Sequence, residues 1–146
     1  MLFMILTLLV APRAGIAQAD GLEQAAERAR QAWFTHNPAA LIANSPRVLI
    51  QLPGADPSVA LGPAQAAALL ADFLAASQEV EVLVRAARQV EPQRGYVELQ
   101  RRYRVAGTQD VRTQVLLLGY RQDQVGWTLV ELRAVGEAAA PEDRAQ

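Results

Sequence analysis

The chain of 146 residues has no cysteine and a single histidine, His36. The first absence removes disulfides, thiolate nucleophiles and thiolate metal sites together. It also removes lipid attachment through an amino-terminal cysteine. One histidine cannot complete a histidine-rich zinc site within a subunit, and no pattern in the chain calls for a cofactor. Lysine is missing as well, so all fourteen basic residues are arginines. Arginine suits bidentate recognition of anions, yet the abundance of alanine points to GC-rich coding as its origin. With fifteen acids the net charge is -1, and nothing electrostatic predicts nucleic acid or an anionic membrane as a partner.

Apolar residues make up 51% of the chain and charged residues 20%, a balance that supports one folded core at this length. The exception is the amino terminus. Leu2 to Val10 is apolar apart from Thr7; as a helix it would reach about 14 Å, near half a bilayer's hydrocarbon core. Pro12 and Arg13 end the run, and Ala17-Gln18-Ala19 follows with the small-x-small pattern read by signal peptidase. Residues 1–19 are therefore expected to be an export signal cleaved before Asp20. That gives a periplasmic or secreted product, with no membrane association after processing. No basic residue precedes the apolar run, which keeps an uncleaved short anchor as the alternative. Residues 20–135 are expected to form one α+β domain, and 136–146 a disordered tail.

Asp20 is expected to cap a first helix in which Leu22, Ala25, Ala26, Ala29 and Trp33 share a face. Asn37-Pro38 stops it and starts a short second helix over Pro38 to Ala43. Arg47 to Leu52 reads as a strand that Ser58 to Leu61 can join, and Gly62-Pro63 opens a third helix. After Ser77 the period becomes two. Val80–Val90, Tyr96–Val105, Val111–Tyr120 and Val125–Val135 predict a four-strand antiparallel meander, with turns at Gly95, at Gly107 with Asp110, and at Gln122-Asp123.

This order of elements resembles the nuclear transport factor two-like superfamily, whose sheet curls as a cone around the long helix. The similar stretches are Ala32-Trp33-Phe34, the strand Val48 to Leu52, the helix Gly62 to Leu74, and the ending Gly126-Trp127-Thr128-Leu129-Val130-Glu131-Leu132. The resemblance spans roughly residues 22 to 135 and is strongest with small exported bacterial members of unknown function. It implies three amino-terminal helices on a curved antiparallel sheet. Catalytic members place aspartate, tyrosine or histidine inside the cone, often with an aspartate just after the first helix. This chain has His36-Asn37-Pro38 there, which counts against proton-transfer chemistry.

His36 is expected at the end of the first helix, as a cavity-mouth base or ligand contact, or simply as a residue meeting the helix dipole. Alternation puts Val97, Leu99, Arg101, Tyr103 and Val105 on one face of their strand, and Glu98, Gln100, Arg102 and Arg104 on the other. Arg101 then points inward among apolar residues, where a guanidinium is costly unless paired. It would bind an anionic ligand, pair with an internal carboxylate, or reach the rim along its stem. Glu98 falls on the outer face. Glu131 faces inward only if no bulge intervenes, and otherwise pairs with an arginine. Trp33, His36, Arg101 and Tyr103 are the candidate ligand-binding residues, with Phe73 and Tyr96 as further aromatic lining and no catalytic assignment.

Two functional readings follow. One is a non-catalytic exported module that binds a small apolar or anionic ligand or another protein. The other is a small lyase, isomerase or hydrolase using His36, Tyr103 and Glu131. Val111 to Tyr120 is apolar on both faces, which calls for cover on both; a homodimer packed through the outer sheet face is expected.

Overall fold

The computed structural model describes residues 16–136, 138 and 139, with side chains described from 21 to 136. The apolar run Leu2 to Val10 and most of the expected tail lie outside the described residues. The first helix, α1, covers Ile16–Phe34, so Asp20 lies inside the helix rather than at its cap. The turn after α1 closes by backbone bonds from His36 to Trp33 and from Asn37 to Ala32. His36 therefore takes the left-handed position (φ 53°) that glycine usually fills at a helix end. Asn37 caps α2 (Pro38–Leu41) by accepting from the Ala40 N–H at 3.2 Å. This helix is a single turn. Two long helices are present where three had been expected, the second being α3 (Pro63–Ala75), which starts with proline at its first position.

Strand β1 (Leu49–Gln51) is followed by β2 (Ser77–Glu91), β3 (Arg94–Val105), β4 (Val111–Asp123) and β5 (Gly126–Ala134). The spatial order is β1-β5-β4-β3-β2, and the two-residue β6 (Ala138–Ala139) pairs β4. The meander β2 to β5 is antiparallel as expected. The sheet as a whole is mixed, because β1 runs parallel to β5, with Ile50 opposite Leu132. Purely antiparallel pairing fails here because β1 docks on the β5 edge, across the meander from β2, where no hairpin sets its direction. The Ser58–Leu61 segment does join β1, through the Val48–Leu61 bridge and the Ser58 N–H to Ile50 carbonyl bond.

Helices α1 and α3 cover one face of this sheet, and the core lies between them. Leu22, Ala26, Trp33, Leu70 and Leu74 meet Val97, Leu99, Leu116, Leu118, Leu129 and Leu132, all buried. Gly95, read from sequence as a turn residue, is a buried position of β3; the turn itself is Pro92-Gln93. A Cβ at Gly95 would lie 2.8 Å from Leu22 Cδ2, so glycine there lets α1 approach the sheet. β2 carries three register shifts along its length, and β4 with β5 one more. Such bulges bend and twist strands, and they decide which side chains enter the core.

Candidate functional site

The bulge between Glu79 and Glu81 builds the site. Counting back from the Val82–Arg101 pair, an unbroken ladder would set Val80 opposite Tyr103; instead Glu79 is there. Val80 turns outward and the Glu79 side chain turns in, 2% exposed beside an Arg101 that is 1% exposed. Strict alternation back from Val82 would put Glu79 on the solvated face of its strand, and the bulge overturns that placement. Arg101 thus pairs with an internal carboxylate, one of the three outcomes open to it, and that carboxylate is neither Glu98 nor Glu131.

The pairing is two-pronged. Arg101 Nε donates to Glu79 Oε2 at 3.1 Å, and Nη2 donates to Oε1 at 2.5 Å. Nη2 also donates to Ser77 Oγ at 2.6 Å, and Nη1 to Gln114 Oε1 at 3.2 Å. Three aromatic rings surround the guanidinium, with Tyr103 at 4.0 Å, Trp33 at 5.4 Å and Phe73 at 5.7 Å from its carbon. A cation among ring faces gains further stabilisation where water is excluded. His36 completes the cluster: its Nε2 lies 3.1 Å from Glu79 Oε1. The left-handed turn after α1 thus aims the chain's one imidazole at a fully buried carboxylate.

Trp33, His36, Arg101 and Tyr103 are therefore brought together, around an acid that the sequence reading missed. Ser77 and Gln114 were missed with it. The available signal was Arg101 itself, since an inward guanidinium demands an acceptor set; no local pattern announced the bulge that supplies it. Glu131 is not part of the cluster. A register shift next to it turns Leu132 inward and leaves Glu131 outside, 2.8 Å from Arg133 Nη2. The trio His36, Tyr103 and Glu131 is not assembled. Tyr96, offered as pocket lining, is on the outer face and 44% exposed.

Beside the cluster the cone has an open mouth of about 370 Å³, lined by Asp72, Phe73, Ala76, Ser77, Tyr103 and Val105, with Arg101 at its floor and Arg112 at its edge. Trp33 Nε1 and Gln114 Nε2, both fully buried, have no hydrogen-bond acceptor among the described residues. Among the described residues no three His, Asp or Glu side chains are grouped to hold a metal ion, and no helix is long and apolar enough to cross a membrane.

No family model and no curated protein matches the sequence. Solved structures do match. A ketosteroid isomerase-like protein from Erwinia carotovora atroseptica superposes with TM-score 0.68 at 16% identity, over 82% of this chain and 95% of that one. A putative dehydratase of the NTF2-like family from Streptomyces avermitilis gives 0.62 at 14% identity, over 81% and 94%. An NTF2-like protein of unknown function from Shewanella oneidensis gives 0.58 at 11%, over 79% and 96%. The chain has the NTF2-like cone fold. At these identities the likeness extends to the fold and not to an activity.

Proposed function

We propose that the chain is an exported, non-catalytic module that binds a small, largely apolar molecule in the mouth of the cone. The observation that carries this reading is the saturation of Glu79. Both its oxygens accept from Arg101, and His36 and Ser77 crowd the same carboxylate. The acid and the guanidinium at the floor of the mouth are thus engaged with each other; Asp72 is the one carboxylate on its wall, and Phe73, Tyr103, Ala76 and Val105 offer apolar surface. An enzyme of this fold needs a group that can take or give a proton next to its substrate, and the trio proposed for that role is dispersed. Export is supported by the apolar run and the Ala17-Gln18-Ala19 site.

A thermal-shift screen of small aromatic and aliphatic compounds tests the binding reading. Ala76 is exposed at the end of α3 and borders the mouth, so Ala76→Trp should fill it without entering the core. Compounds that stabilise the wild-type protein are expected to lose their effect on this variant. Stabilisation that survives unchanged, or no stabilising compound at all, refutes the reading.

Self-association through the outer sheet face belongs to the same proposal. Val80, Leu83, Tyr96 and Val90 are exposed there, and Leu117 is only half covered. Leaving such a patch in water is unfavourable. Light scattering at micromolar concentration should return the mass of a dimer; a monomer would assign the face to another partner.

A further inference from the structure

A second cavity, of about 230 Å³, lies on the opposite flank of α1, between that helix, α2 and the end of the β4–β5 hairpin. Its lining is mixed: Ala25, Ala29, Leu41, Leu129 and Trp127 supply apolar surface, and Arg28, Asn44 and Tyr120 are the polar side chains that border it. Tyr120 is 6% exposed, and its hydroxyl has no hydrogen-bond partner among the described residues. Arg28 has no ion pair or hydrogen bond among them either; the neighbouring Glu27 is engaged with Arg30. The two groups sense each other, since burial raises the Tyr120 pKa and the charge of Arg28 opposes that rise.

The Tyr120 hydroxyl, at the cavity wall without a protein acceptor, has a proton to donate, and Arg28 beside it, without a counter-ion, has a charge to offer. An anion with two acceptor oxygens and an apolar body satisfies both. We infer that this cavity is a binding site for a small monocarboxylate, distinct from the mouth of the cone. One carboxylate oxygen accepts from the Arg28 guanidinium and the other from the Tyr120 hydroxyl, while the body lies against Ala25, Ala29, Leu41 and Leu129. The volume equals that of roughly seven or eight waters at about 30 Å³ each, which suits a single ring or a short chain. A phosphate is disfavoured, because one arginine and one hydroxyl leave part of its charge and oxygens unserved.

Isothermal titration with benzoate at neutral pH, and with benzamide as the uncharged control, tests the assignment. Benzoate is expected to bind and benzamide not to. Arg28 is exposed, so Arg28→Gln should fold normally and weaken benzoate about tenfold or more, the scale of a lost charge-assisted hydrogen bond. Tyr120→Phe removes a hydroxyl that the protein itself leaves unbonded; it should keep its melting temperature and weaken benzoate several-fold. Ala76→Trp, which blocks the other site, should leave benzoate binding unchanged. Absence of benzoate binding, equal affinity in Arg28→Gln, or loss of affinity in Ala76→Trp would each overturn the inference.

Discussion

Replacing Glu79 by alanine would leave the Arg101 guanidinium in place, 1% exposed, with its carboxylate gone. Ser77 Oγ and Gln114 Oε1 would still accept from it, and the faces of Tyr103, Trp33 and Phe73 would still surround it. Those contacts soften the loss without restoring a counter-charge. Removing one partner of a buried pair costs about 3–5 kcal/mol, against a total stability of about 5–15 kcal/mol for such a domain. The exposed Glu27–Arg30 pair sets the contrast, since a helix pair of that kind is worth about 0.3–0.5 kcal/mol. With a urea slope near 1.5 kcal/mol/M, the Glu79→Ala midpoint should fall by roughly 2–3 M. Urea titration followed by tryptophan fluorescence reads this directly, because Trp33 lies against Arg101. The double replacement Glu79→Leu with Arg101→Met should recover most of the loss or more, since apolar groups of similar volume often equal a buried pair. A Glu79→Ala stability within about 1 kcal/mol of wild type would mean that Arg101 finds water or another anion, and the reasoning about the cluster would fail.

Trp33 is fully buried, and Trp33→Ala should cost roughly 3–5 kcal/mol in a urea titration followed by circular dichroism. At His36 the order of two variants is informative: His36→Ala loses the Glu79 contact at about 1 kcal/mol. His36→Gly loses the same contact but relieves the left-handed backbone, so it should be more stable than the alanine variant by about 1 kcal/mol; the reverse order refutes the account of this turn. Burial holds the Tyr120 hydroxyl protonated in the folded state above its ordinary range. Its contribution is thus present below pH about 10, where the unfolded phenol titrates, and is lost as pH rises from there; a Tyr120→Phe protein that melts with the same alkaline dependence as wild type would contradict this. Intact-mass measurement of exported protein should show a chain beginning at Asp20, and a mass that retains Leu2 to Val10 would sink the export signal.

Much of the fold is legible from period alone. The switch to alternation after Ser77 and the punctuation at Asn37-Pro38 and Gly62-Pro63 place the helix ends and all four meander strands within a few residues of their observed limits. The inward face of β3, Arg101 included, follows from alternation because β3 has no irregularity against β4. The site was less legible because it depends on β2, where one extra residue at Val80 exchanges the two faces, and residue types do not mark such a shift. Gly95 was misread for a related reason: a glycine near a turn suggests the turn, whereas the one here answers to Leu22 on a helix seventy-odd positions earlier. The parallel strand β1 could not be oriented from the chain, because three residues hold no directional pattern.

That short strand also orders events in time. β2 to β5 are joined by tight connections and can assemble from neighbouring segments, but Leu49 must find Glu131, about eighty residues away. Closing so large a loop for three residues of pairing is slow and returns little until the rest of the sheet exists. The segment carrying α1, α2 and β1 should therefore dock last during refolding and open first in the native protein, through an excursion that leaves the meander intact. In hydrogen exchange, the Ile50 amide should reach equilibrium before those of Leu99 and Leu118. Until docking, the apolar side of the meander is uncovered and prone to association between chains. A ribosome delivers the amino-terminal segment first and its receiving strand nearly last, so the part of the chain made earliest waits longest for its place.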